Sequence, residues 1–262
     1  MKIAITGKGG VGKTTLAALL AHHYARQNRP VLAIDADPSP CLGAALGFPP
    51  ELVASLRPIA EMEDLIYERT GAQKGATGGY FKINPRVDDI PDRFAAGQGG
   101  IKLLQLGAVQ TGGSGCICPE SALLKTLVTH ILLRRGEVVI MDMYAGVEHL
   151  GRATASAVDA IIVVAEPGAR SLATARQIHK LAADIGLQRV YLVGNKVRGE
   201  ADVAFLRAAE NGLPLLGWYP YAPAAIAADQ TGQALYRTEP PMAELTAQIA
   251  ARLEALLEPD KP

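Results

Sequence analysis

Residues 7–14 read Gly-Lys-Gly-Gly-Val-Gly-Lys-Thr, a spacing of glycines, lysine and hydroxyl suited to holding phosphate. The octapeptide follows a short apolar run, Lys2–Thr6, and precedes a helical pattern that opens near Lys13. In that setting the backbone N–H groups of Gly9, Gly10, Val11 and Gly12 turn inward and ring an anion, helped by the positive end of the following helix. Lys13 is expected to reach the terminal phosphates and the Thr14 hydroxyl to hold Mg²⁺, with Thr15 beside it in the first turn of the helix. A second apolar run, Val31–Asp35, ends in the carboxylates Asp35 and Asp37. A third, Val138-Val-Ile-Met, ends in Asp142, which is expected to contact Mg²⁺ through water. Hydrolysis needs a group that orients water in line with the last phosphate. Met143 stands where many such proteins carry a glutamate, so that role falls to Asp37, and Asp35 is left to organise the Mg²⁺ shell. Gly146, in the loop after Asp142, can offer an unhindered N–H to a γ-phosphate.

Base choice is legible as well. Asn195-Lys196-Val197-Arg198 resembles the Asn-Lys-x-Asp base reader of GTPases, with arginine in place of the acid. A guanidinium cannot accept the two hydrogen bonds that guanine donates, so adenine is favoured. Asn195 is the expected contact, with Lys196 beside it and the loop around Pro220–Pro223 lining the same pocket. Lys8 is a further departure, because a phosphate loop does not need it and its desolvation next to Lys13 is unfavourable without a dense anionic neighbour.

Cys116 and Cys118 close the run Gly-Gly-Ser-Gly-Cys-Ile-Cys-Pro-Glu. Thiols at i and i+2 of a regular strand point to opposite faces, so one tetrahedral metal requires an irregular backbone, which the glycines supply. Pro119 and Glu120 look like a first helical turn, whose field favours thiolates. A closed thiolate site wants four ligands, and two chains about a twofold axis would provide them. The alternative is a pair of small hydrophobes near a helix start.

The elements that must position these groups alternate. Apolar runs at Lys2–Thr6, Val31–Asp35, Ile101–Leu106, Val138–Asp142, Ala160–Ala165, Val190–Val193 and Leu215–Tyr219 barely alternate in polarity, as expected for strands covered on both faces. Helical patterns at Lys13–Gln27, Glu120–Leu133, Ser171–Ile185, Glu200–Ala209 and Met242–Leu257 fall between them. The expectation is an α/β fold, a doubly wound, mostly parallel sheet of about seven strands in one domain spanning residues 1–262. A surface insertion around residues 50–100, with a short helix at Glu61–Arg69, interrupts it.

Composition narrows the class of partner. Of 262 residues, 49% are hydrophobic, enough for a full core, and 26 basic side chains balance 26 acidic ones, so nothing favours nucleic acid or an acidic membrane. Lys2 leads straight into the first strand rather than into a signal pattern, and no apolar run approaches the roughly 20 residues of a membrane span. Three cysteines make no extracellular disulfide framework, so a cytoplasmic setting is expected, with Cys41 in the core. The five histidines have no metal-site spacing among themselves.

The form Lys8-Gly-Gly-Val-Gly-Lys13-Thr resembles the deviant Walker A loop of the MinD/ParA/dinitrogenase-reductase ATPases. That resemblance implies that Lys8 reaches the nucleotide of a facing subunit, as an arginine finger does, in a homodimer closed around two ATP molecules. Asp35-Ala-Asp37 matches the switch I motif of the same class. The run Asp35–Gly43, the Gly-Ser-Gly-Cys-Ile-Cys block, Asp142–Leu150 and Asn195–Arg198 together resemble the CooC family over essentially the whole chain. The resemblance implies a SIMIBI-type P-loop ATPase that helps insert nickel into carbon monoxide dehydrogenase. Cys116 and Cys118 would hold Ni²⁺ or Zn²⁺ between subunits, and nucleotide would govern dimerisation. An iron–sulfur ATPase like dinitrogenase reductase is one rival, although its bridging cysteines are far apart in sequence. A MinD- or ParA-like positioning ATPase is another, although the last helical pattern lacks a basic amphipathic face.

Overall fold

The computed structural model describes residues 1–72, 80–107, 118–144, 157–208 and 212–258. Among them run eight strands: β1 (Lys2–Gly7), β2 (Val31–Ala36), β3 (Ala96–Gln98), β4 (Ile101–Gln105), β5 (Val138–Met143), β6 (Ala160–Ala165), β7 (Val190–Val197) and β8 (Leu215–Pro220). They form one sheet in the order β3-β4-β2-β5-β1-β6-β7-β8. All neighbours pair in parallel except β3, which runs antiparallel to β4 at the edge.

Every residue of β1, β2, β5 and β6 is buried, because helices cover both faces of the sheet. Ile3 and Ile5 point to one face, against Leu16 and Leu20 of helix α1 (Lys13–Arg26) and Ile249 of the last helix, Pro240–Leu257. Ala4, Leu32 and Ile34 point to the other face, with Leu127 and Ile131 of a second covering helix, Pro119–Arg134, and Ile178 of helix Ala169–Asp184. Each fully buried Leu or Ile contributes about 1.5–3 kcal/mol, so the two apolar layers hold the sheet against its helices.

The seven apolar runs became seven strands with ends within a few residues of the expectation, and the eighth was not foreseen. Ala96-Gly97-Gln98 carries no apolar alternation, and only pairing with β4 makes it a strand. Its turn was readable, since Gly99 and Gly100 both have positive φ (60° and 82°), as a two-residue hairpin loop requires. Among the described residues of 42–94 lie four short α-helices, α2 (Leu42–Ala45), α3 (Pro50–Ser55), α4 (Glu63–Thr70) and α5 (Ile90–Phe94), and the Pro119–Arg134 helix is α6. Ile59, Ile66 and Ile90 from this region join the same apolar layer as α6. Asp92 of α5 binds both Lys102 (2.8 Å) of β4 and Arg135 (2.7 Å) at the end of α6. Among the described residues no helix is long and apolar enough to cross a membrane.

Tyr219 of β8 carries a polar anchor into this core. Its buried hydroxyl lies 2.8 Å from Thr246 Oγ1, which itself donates to the Met242 carbonyl at 2.6 Å. Replacing the threonine strands the phenol without a partner in an apolar layer. Thr246→Val is therefore expected to lower unfolding free energy by about 1–3 kcal/mol in urea titration, and Thr246→Ser to restore most of it. A valine variant as stable as wild type would show that the hydroxyl pair contributes nothing.

Candidate functional site

Strand order decides what meets at the carboxyl edge of the sheet. β1 lies between β5 and β6, and β5 separates it from β2, so the ends of β1, β2 and β5 are neighbours. In register, Ile5 faces Asp142 and Asp35 faces Asp142. The crevice outside these strand ends is where ligands bind in open α/β sheets.

The loop from β1 into α1 is shaped by contacts a side chain would block. At Gly7 (φ 147°) an added Cβ would lie 2.4 Å from the Val164 carbonyl oxygen. At Gly12 (φ 98°) it would lie 2.1 Å from Asn195 Nδ2. Val11 is buried, whereas Lys8, Gly9 and Gly10 face solvent. Lys13 opens α1 with its side chain buried and its ammonium donating to the Lys8 carbonyl at 3.3 Å. Thr14 donates to Asp142 Oδ2 at 2.6 Å. From the far side, Asn195 donates to the Val11 carbonyl and Lys196 Nζ to the Gly10 carbonyl, each at 2.7 Å. Lys196 takes a left-handed φ of 59° to do so, and its N–H donates to Asn195 Oδ1 at 2.9 Å. The end of β7 thus braces the loop while lining the adjoining pocket.

Two buried carboxylates sit beneath the loop. Asp35 is fully buried, and its oxygens accept from Asp37 N–H (3.2 Å) and Leu42 N–H (2.8 Å). It therefore holds the segment that carries Asp37, whose own carboxylate accepts from Ser39 N–H at 2.9 Å. Asp142 is 2% exposed, and its Oδ1 has no hydrogen-bond partner among the described residues. Burial pushes the Asp35 carboxyl up to about 6 and the Asp142 carboxyl up to about 7. At Asp142 the charge of Asp35 adds to the rise, while the Thr14 hydroxyl and Lys13 oppose it. An orphaned carboxylate oxygen beside a threonine hydroxyl is a donor set that fits Mg²⁺.

Next to the loop opens a cavity of about 460 Å³, the size of a small-molecule pocket. Thr15 and Leu19 of α1 form one wall, Asn195 and Lys196 another, and Pro220 and Tyr221 a third. The Arg198 guanidinium lies over the Tyr221 ring, 5.0 Å from its centroid. Pro220 and Tyr221 belong to the loop expected to line the pocket, whereas Glu166 has no counterpart among the sequence expectations. Glu166 lines the cavity too, and its place just after the apolar run Ala160–Ala165 was a usable signal, since residues ending parallel strands face the crevice.

Cys118 caps α6, with Pro119 at the first helical position and Ser121 N–H donating to Sγ at 3.4 Å. Cys116 and Gly146 lie outside the described residues. Among the described residues no three His, Cys, Asp or Glu side chains gather as a metal site. The core expectation for Cys41 is corrected: it is exposed, its thiol donating to the Ser39 carbonyl at 3.1 Å, because the Pro38–Pro40 turn lifts it off the sheet edge.

Residues 2–235 match the family profile described as the CobQ/CobB/MinD/ParA nucleotide binding domain. The carbon monoxide dehydrogenase accessory protein CooC of Rhodospirillum rubrum is 47% identical over 258 residues, covering 98% of this chain and 97% of that protein. An uncharacterized ATP-binding protein of Methanocaldococcus jannaschii is 45% identical over 236 residues, 89% of this chain and 90% of its own. Among solved structures, the MinD cell division protein of Aquifex aeolicus superposes with a TM-score of 0.65 at 20% identity, covering 97% of this chain and 96% of that one. A ParA family ATPase from Chlorobium tepidum does so with a TM-score of 0.65 at 18% identity, covering 97% and 98%. These two likenesses concern the fold alone.

The raised Asp142 carboxyl makes stability depend on pH. Between the ordinary value of 3.8 and about 7 the folded chain binds more protons than the unfolded one, so ligand-free stability falls as pH rises through that window. Asp142→Asn removes the buried charge. The ligand-free variant is expected to be more stable than wild type at pH 8 by on the order of 2 kcal/mol, the gap shrinking towards pH 5, while Mg²⁺-dependent nucleotide binding is lost. Urea titrations at both pH values check this, and a variant weaker than wild type at pH 8 refutes it.

Proposed function

The chain belongs to the CobQ/CobB/MinD/ParA nucleotide-binding family and is an ATPase, and from that premise we propose that it assists nickel insertion into carbon monoxide dehydrogenase. The observation that carries this reading is the 47% identity to the CooC protein along nearly the full length of both chains. Cys118 at the N-cap of α6 adds chemical support, because its sulfur stands at the helix start and accepts the Ser121 N–H.

In this reading Lys13 and the N–H groups of Gly9 to Gly12 grip the phosphates of ATP, and Thr14 and Asp142 hold Mg²⁺. Mg²⁺ so bound would neutralise charge developing on the β- and γ-phosphates. Asp35 fixes the segment after β2, which lets Asp37 orient water towards the γ-phosphate. Gly146 offers its N–H to that phosphate from the loop after β5. Lys8, exposed at the crevice lip, reaches the nucleotide of a second copy, so catalysis requires a homodimer. Asn195 reads the adenine while bracing Val11, with Lys196 and Pro220 as further walls. The cargo is nickel for the client enzyme, and Ni²⁺ or Zn²⁺ would bind on the twofold axis through Cys116 and Cys118 of each chain. The loop that carries Gly146 follows β5, which follows α6, so movement of that loop driven by ATP would pass along one helix to the thiols. The setting is cytoplasmic.

Metal content of the pure protein tests the reading. Wild type is expected to take up about one Ni²⁺ or Zn²⁺ per two chains, and the Cys116→Ala/Cys118→Ala variant none, by equilibrium dialysis with elemental analysis. Asp37→Asn should keep nucleotide affinity and lose roughly 10²-fold or more in hydrolysis. Uptake of no transition metal by a chain that stays monomeric with ATP and Mg²⁺ would sink the maturation role and leave only the ATPase.

A further inference from the structure

Glu166 has a place in the nucleoside cavity that the phosphate chemistry does not explain. It follows β6 at the carboxyl edge, and its N–H donates to Ser171 Oγ at 3.1 Å, tying the strand end to the first turn of helix Ala169–Asp184. Its Oε2 lies 3.4 Å from Lys196 Nζ, the ammonium that also holds the Gly10 carbonyl. The carboxylate is thus kept at the phosphate-loop end of the cavity, with Pro220 and Tyr221 among its remaining walls. Among the described lining residues it is the one carboxylate, and Lys196 and Arg198 are the cations.

A carboxylate beside a polyphosphate is repelled by it, and a carboxylate can accept hydrogen bonds but not donate them. With Mg²⁺ assigned to Thr14 and Asp142, it can improve nucleotide binding only by meeting a donor. A nucleoside triphosphate carries two kinds: the hydroxyls of its sugar, next to the phosphates, and the N–H groups of its base, further out. Glu166 shares Lys196 with Gly10 of the phosphate loop, so the sugar is the part that passes it. The geometry points to Glu166 as the acceptor for a ribose hydroxyl, which makes the site selective for ribonucleotides over deoxyribonucleotides. The inference rests on the ATPase reading and goes beyond it, since phosphate gripping and adenine recognition are indifferent to the sugar. Lys196 serves the same end by offsetting the carboxylate against the phosphates.

The competing account is that Glu166 does nothing but balance Lys196. The two separate in a chemical double cycle, with ATP, 2′-deoxyATP and 3′-deoxyATP as probes, each with Mg²⁺, titrated by calorimetry into wild type and Glu166→Ala. The side chain is about one-third exposed, so its loss leaves the core intact. Wild type is expected to bind ATP about tenfold more tightly than at least one deoxy analogue, as a hydrogen bond to a charged acceptor allows. In Glu166→Ala that ratio should fall to within about twofold, because ATP weakens to the level of the analogue. Equal weakening of all three nucleotides in the variant, or no preference among them in wild type, overturns the assignment. Failure of wild type to bind ATP at all would instead strike at the ATPase reading.

Discussion

Asp142 is a carboxylate with one oxygen bonded to Thr14 and the other, fully buried, bonded to nothing among the described residues. Leaving a charge-bearing group so placed is costly, and the surroundings only partly relieve it. Asp35 stands next to it in register and adds like charge, while Lys13 lies near enough to oppose it. The unliganded fold carries this tension at the one point where the phosphate loop, the Asp35 strand and the Asp142 strand converge. A divalent cation and a polyphosphate would resolve it together, which ties folding energy directly to ligand binding.

The rest of the crevice keeps that point in shape. A glycine loop with open φ values has no intrinsic reason to hold one conformation, and the end of β7 supplies it by gripping the carbonyls of Gly10 and Val11. Lys196 accepts a left-handed backbone for this, a local strain of about 1 kcal/mol or more, set against two hydrogen bonds and an ion pair with Glu166. Asn195 does double duty: the side chain that shapes the loop also borders the adjoining cavity. Cavity wall and phosphate loop therefore share the same two side chains, Asn195 and Lys196.

Much of the architecture was legible because its signals are local. Apolar runs of four to six residues without alternation mark strands buried on both faces, and seven of the eight described strands were found that way. The proline at position 119 marked a helix start, and Cys118 is its cap. What escaped had no local signature. Ala96–Gln98 is a strand only because β4 pairs with it, and α2 and α3 are too short for a helical period to show. Cys41 reads as a small hydrophobe in any window, yet the Pro38–Pro40 turn turns it outward.

The chain's own order of residues determined that a phosphate-gripping loop exists, which side chains it carries, and that a nearly all-parallel sheet holds it, since glycine spacing and hydrophobic periodicity act over a few residues. Only the tertiary structure decided that Thr14 meets Asp142, that Asn195 and Lys196 reach back to the loop, and that Glu166 stands guard over the same cavity. Those pairings span more than a hundred residues in most cases and follow from strand order. Strand order is settled by how whole helices and strands pack, and no short stretch of sequence records it.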